Sequence, residues 1–155
     1  MYHSKEYHGQ ISINVPSKII EYIENAAKTS SVERCGILAG FFTVHKFTVT
    51  HLVEDKQSKY SNSLGVTRTI EGIWSELNLI ARDHSPSDYI GEWHTHAGGK
   101  PHPSMVDITT ILSIIGSKHY GQPAELVLAI GTPTSGVYFW FFSEKDMVKM
   151  DINIV

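Results

Sequence analysis

The sequence predicts an α/β (α+β) domain: a mixed central sheet flanked by helices. Three observations carry this. Segments that alternate polar and apolar residues, and apolar runs of strand length, recur along the chain. Segments with helical 3–4 spacing fall between them, so helices and strands are intermixed rather than segregated. No repeat, low-complexity tract or long linker divides the 155 residues, a length that suits one domain.

The elements follow in order. Residues 10–15 alternate and suggest a short strand. Pro16 and Ser17 open a helix that runs to about Lys28, with Ile19, Ile20, Ile23 and Ala27 on one face. Residues 34–41 are small and apolar and read as a buried strand, with a hairpin partner at 44–53. Residues 54–66 are polar and turn-rich, a loop. A second helix fits 67–83, with Ile70, Ile73, Trp74, Leu77 and Ile80 at helical spacing, and Ser85-Pro86-Ser87 ends it. Residues 89–94 form a central strand. Residues 97–103, with two glycines and two prolines, form a loop. Ser104 is placed to cap a third helix reaching about Gly116. Residues 126–130 and 137–142 are apolar strands, and 147–155 is a last edge strand.

Composition removes several function classes. Net charge is −3, so no basic field is present to hold nucleic acid or an anionic membrane. No apolar run approaches the 18 or so residues of a membrane helix, and the polar first ten residues carry no export signal. Cys35 is the single cysteine, which excludes an internal disulfide framework and a Pro-Cys-x-x-Cys deaminase signature. A reducing, cytoplasmic setting is the expectation.

Nine histidines invite a search for a site, because imidazole is the commonest metal ligand. The best candidate is Glu92-Trp93-His94-Thr95-His96 followed by Ser104 and Asp107. Positions i and i+2 of a strand share a face, so His94 and His96 can address one metal. The pair alone is easily met by chance in so histidine-rich a chain. Ser104 and Asp107, at i and i+3 in the first turn of a helix, make the pattern far more specific. Two imidazoles and one carboxylate make a three-ligand zinc site with an open position, the arrangement of catalytic rather than structural zinc. Such a metal lowers the pKa of a water towards ~7. The water needs a general base, and the attacked carbonyl needs an oxyanion donor, for which Ser104 is placed. By strand alternation alone Glu92 would be the base, since it shares the face of His94.

The order of an acid, His-x-His, seven residues and Ser-x-x-Asp resembles the JAMM signature of the MPN-domain zinc metallopeptidases. Here it reads Glu33, His94-Thr95-His96, and Ser104-Met105-Val106-Asp107. Residues 32–40 also resemble that family's glutamate strand, in which the acid precedes a glycine-rich apolar run. The resemblance implies a cytidine-deaminase-like MPN fold over a single domain, 1–155. It implies His94, His96 and Asp107 as Zn2+ ligands, Glu33 in place of Glu92 as the residue holding the catalytic water, and Ser104 as the oxyanion donor. It implies isopeptide or peptide hydrolysis after the C-terminal tail of a ubiquitin-like protein, in conjugates or precursors. The short form resembles stand-alone bacterial members that accompany activating and conjugating enzymes, including those of antiviral operons. One departure stands out: the family usually has proline after the second histidine, and this chain has Ala97.

Other readings accompany these. Members that lose their ligands serve as non-catalytic scaffolds, and a zinc hydrolase of a small-molecule or sulfur-carrier substrate shares the same ligands. Cys35 reads as an inert core residue rather than a nucleophile. His102 reads as a solvated loop residue, because a fourth protein ligand would close the open position. Trp93 is expected to point away from the ligand face into the core. The loop 97–103 borders the site and is a candidate substrate-contacting flap.

Overall fold

The computed structural model describes residues 11–43, 46–55, 79 and 87–155. The strand β1 (Ser12–Val15) leads into helix α1 (Ser17–Thr29). A hairpin follows, β2 (Cys35–Thr43) and β3 (Lys46–Glu54). Strand β4 (Asp88–Thr95), helix α2 (Met105–Ile114) and strand β5 (Glu125–Thr132) come next. Strands β6 (Gly136–Ser143), β7 (Met147–Lys149) and β8 (Asp151–Ile154) complete the described chain. The expected helix over 67–83 lies outside the described residues except for Leu79, which is helical, as does most of the expected loop 54–66. Among the described residues no helix is long and apolar enough to cross a membrane.

All eight strands form one sheet in the order β7-β6-β5-β4-β2-β3-β1-β8. The pairings β4–β5, β1–β3 and β1–β8 are parallel and the rest antiparallel. The expected mixed sheet is therefore present. The last segment departs from expectation, because 147–155 is not one edge strand. It divides at Met150 into β7 and β8, which lie at opposite ends of the strand order. Met150 donates its N–H to the Phe139 carbonyl at 2.9 Å, and Asp151 donates to Ile11 at 3.1 Å. One residue spans both edges, so the sheet must curl until they meet. Met150 is buried at that seam.

The curled sheet is apolar on both faces, as expected of strands covered on both sides. One face packs Leu38, Trp93, Val127, Phe139 and Phe141 against Ile19, Ile20, Ile23 and Ala26 of α1. The other packs Ile37, Leu128, Ile130 and Phe142 with Ile111 and Ile114 of α2. Complete burial of each such side chain stabilises the fold by about 1.5–3 kcal/mol. The aromatic run 139–142 is buried throughout. Trp93 is fully buried on the α1 face, as expected, and its indole N–H donates to the Val53 carbonyl at 3.1 Å. That bond passes over Gly36, where an added Cβ would lie 1.8 Å from the Val53 oxygen and 2.7 Å from the indole nitrogen. Only glycine fits there, which accounts for one glycine of the run after Glu33.

Strand β4 reaches its parallel neighbour β5 through α2. The end of β4 and the start of α2 therefore face each other across a loop, the usual place for a site in a sheet of this kind.

Candidate metal centre

His94 lies at the C-terminal end of β4 and His96 just past it, and the antiparallel register sets Cys35 of β2 opposite His94. His94, Glu92 and Cys35 share the α2 face of the sheet, with Thr95 turned to the opposite face and buried. Cys35 is buried beneath the site, in keeping with a core role.

Asp107 arrives from α2. Ser104 caps that helix: its hydroxyl accepts from the Asp107 N–H at 3.1 Å, and its own N–H donates to Asp107 Oδ2 at 2.7 Å. This is a complete capping box. The same Ser-x-x-Asp spacing thus starts the helix and aims the carboxylate, so the capping and ligand readings of these residues coexist.

Three side chains converge. His94 Nε2 and His96 Nε2 are 3.0 Å apart, His96 Nε2 is 3.1 Å from Asp107 Oδ2, and His94 Nε2 is 3.3 Å from Asp107 Oδ1. Metal–ligand bonds of about 2.0–2.1 Å in a zinc tetrahedron imply ligand separations of about 3.3 Å. His94, His96 and Asp107 form the one His/Cys/Asp/Glu group able to hold a metal found among the described residues. The donor set fits zinc, with nitrogen and oxygen ligands and, among the described residues, no fourth group at the point of convergence.

The tautomer of His96 follows from its other nitrogen. Nδ1 lies 2.7 Å from the Lys100 carbonyl, which can only accept, so Nδ1 carries a proton and Nε2 is the nitrogen turned to Asp107, free to ligate a metal once its own proton is displaced. Burial opposes charge on His96, but the Asp107 carboxylate, the Lys100 carbonyl and the charge of Glu33 outweigh it and raise the imidazole pKa. Burial likewise opposes ionisation of Asp107. Its bonds with His94 and His96 and the Ser104 N–H outweigh that, and hold the carboxyl well below the usual carboxylate range.

Residue Glu33 lies 61 positions before His94 in the chain, yet its charge reaches His96. It is half-buried, just before β2, where Arg34 is tied to Thr95 of β4. Glu92 has a different setting. It is buried and accepts from the Tyr89 hydroxyl, whose ring packs on Tyr120 at 5.5 Å. Alternation places Glu92 on the histidine face, where its carboxylate accepts from Tyr89. His102 is exposed and packs on Trp140 at 5.6 Å, apart from the metal centre, as a loop residue should. The sequence reading did not find Thr95 or the Lys100 carbonyl. Thr95 stood in plain view between the histidines, whereas a main-chain carbonyl leaves no side-chain signature.

The profile of prokaryotic homologues of the JAB domain matches residues 17–148. The chain belongs to this family. Two curated relatives of this JAB domain are each named CD-NTase/cGAS isopeptidase. One, from Escherichia coli (strain TW11681), is 28% identical over 110 residues, 67% of this chain and 69% of the relative. The other, from Enterobacter hormaechei subsp. hoffmannii (strain UCI 50), is 27% identical over 124 residues, 79% of this chain and 68% of the relative. The JAB fold is also that of a solution structure from Desulfitobacterium hafniense. That match has a TM-score of 0.62 at 14% identity, covers 92% of each chain and speaks to fold alone. The likeness to the JAMM/MPN family drawn from the motif thus holds at the level of family and fold.

Proposed function

We propose that this JAB domain is a zinc-dependent isopeptidase that releases a protein from the C-terminal tail of a ubiquitin-like partner, within a bacterial antiviral conjugation system. The observation that carries the proposal is the convergence of His94, His96 and Asp107, with the charge of Glu33 felt at the same centre. The isopeptidase names of the two relatives support the class of bond and the defence setting. A cytoplasmic location goes with that setting.

In this reading His94, His96 and Asp107 hold the metal. Zinc, when bound, supplies Lewis acidity that acidifies water and polarises the scissile carbonyl. Glu33 takes the proton of the attacking water and returns it to the departing lysine amine. The Ser104 hydroxyl already accepts from Asp107 N–H, which leaves its proton to donate to the oxyanion. The Asp107 carboxyl, held ionised, keeps its charge across the working pH range.

Among the described residues, strand β4 is flanked by β2 and β5, so a tail beside the ligands adds to neither edge of β4. The loop 97–103 and the exposed segment before Glu33 offer main chain near the ligands, and an extended tail would take its affinity from main-chain bonds.

The test is hydrolysis by the zinc-loaded protein of a ubiquitin-like protein joined to a cGAS-like nucleotidyltransferase, with products read by mass spectrometry. Release of both intact proteins, lost in His94→Ala, is expected. An uncut conjugate with a folded, zinc-loaded enzyme would overturn the isopeptidase reading. Absence of bound zinc would leave a binding module instead.

A further inference from the structure

We propose that Trp140 is a positioning residue for the His96 ligand, acting through the main chain of the loop between β4 and α2. The inference rests on the metal-site reading above. The His96 imidazole is aimed by the Lys100 carbonyl, so the aim is only as good as the loop that carries it. That loop has little of its own to hold it. Ala97, Gly98 and Lys100 are exposed, and added Cβ atoms at Gly98 and Gly99 would meet nothing within 4 Å. One internal bond, from Gly99 N–H to the His96 carbonyl at 2.9 Å, closes its first turn.

The anchor comes from the sheet. Trp140 of β6, buried and in register with Leu128, donates its indole N–H to the Pro101 carbonyl at 3.0 Å. The His102 ring packs against the same indole at 5.6 Å. The covalent geometry then does the rest. The Lys100 carbonyl belongs to the peptide bond entering Pro101, and the carbonyl gripped by Trp140 belongs to the peptide leaving it. Only the φ and ψ of Pro101 separate the two, and the ring locks φ near −65°. Fixing the Pro101 carbonyl therefore confines the Lys100 carbonyl, which in turn confines the His96 ring. Trp140 thus reaches the metal ligand through two hydrogen bonds and one rigid residue, with no contact to the metal itself.

The experiment is Trp140→Phe, which keeps an aromatic ring in the core and deletes the donor. Zinc affinity, read by competition with a chromophoric chelator, is expected to fall about tenfold, the scale of lost outer-shell support. Affinity within about twofold of wild type would overturn the proposal. A second readout needs no metal. 1H–15N spectra of the metal-free protein should show a His96 Nδ1 proton protected by the Lys100 carbonyl in wild type and a rapidly exchanging one in Trp140→Phe. Loss of core packing alone would lower Tm without exposing that proton. Should the variant not fold, the wild type still decides: a rapidly exchanging His96 Nδ1 proton, or a rapidly exchanging Trp140 indole proton, would overturn the anchor. His94→Ala separates the two readings. Stoichiometric zinc retained in that variant would sink the metal site, whatever Trp140 does.

Discussion

Arg34 and Thr95 exchange two hydrogen bonds across the β2–β4 junction. The Arg34 N–H donates to Thr95 Oγ1 at 2.9 Å, and the Thr95 N–H donates to the Arg34 carbonyl at 2.9 Å. Arg34 follows Glu33, and Thr95 stands between the two histidines. The clamp thus joins the proposed base to the proposed ligands. The Arg34 guanidinium adds a grip on Glu54, with Nε at 2.8 Å from Oε2 and Nη2 at 2.5 Å from Oε1. Thr95→Val removes the hydroxyl acceptor while keeping the shape, and leaves the Arg34 N–H short of a partner, a loss worth about 1–3 kcal/mol. We expect kcat to fall about tenfold or more with KM and zinc stoichiometry little changed, and Thr95→Ser to restore it. Steady-state kinetics with metal analysis would show this. An active Thr95→Val enzyme would mean that Glu33 is held by other contacts.

The two acids near the ligands should separate cleanly. Glu33→Ala is expected to keep one zinc per chain and lose about 10²–10⁴-fold in kcat, the range of general base catalysis. Glu92→Gln should keep turnover within a few-fold, because its carboxylate is occupied by the Tyr89 hydroxyl. Turnover that survives in Glu33→Ala and disappears in Glu92→Gln would reverse the assignment.

Ser104 carries two duties that substitution can part. Ser104→Ala removes the helix cap and should cost about 1 kcal/mol of stability, whereas Ser104→Gly costs only a few tenths. Both lack the oxyanion donor, so both should lose about 10²-fold or more in kcat. Urea unfolding set beside kinetics reads both effects. An active, stable Ser104→Gly would show that the hydroxyl serves the helix alone.

Gly36 tests the packing behind Glu33. Gly36→Ala drives a Cβ to 1.8 Å from the Val53 oxygen, so β2, β3 or the Trp93 indole must move. A loss of about 2–3 kcal/mol or more is expected. Gly98→Ala places its Cβ in open space and should change stability by less than about 0.5 kcal/mol. Equal denaturation midpoints for the two variants would contradict the close approach.

Much of this was written in short-range pattern. The helical spacing of Ile19, Ile20 and Ile23 placed α1 to within a residue of its observed end, because burial of one face selects the period. The i, i+2 spacing of His94 and His96 set two imidazoles on one face, and Ser104 and Asp107 announced a capped helix. Those relations depend on local geometry that a strand or a helix imposes wherever it sits.

What the sequence by itself determined was therefore most of the described elements and the two halves of the candidate metal centre. Tertiary structure alone decided how they meet. Alternation over 147–155 marks strand but names no partner, and only the curl of the sheet sends β7 and β8 to opposite edges. Alternation also puts Glu92 beside His94, and only packing shows its carboxylate taken by Tyr89. Glu33 comes to His96 through the register of Cys35 against His94, a pairing between strands far apart in the chain. The Lys100 carbonyl on His96 and the Pro101 carbonyl on Trp140 act as main chain, which every residue carries alike. Long-range register and main-chain contacts arise from the summed packing of the whole domain, and no local run of side chains encodes them.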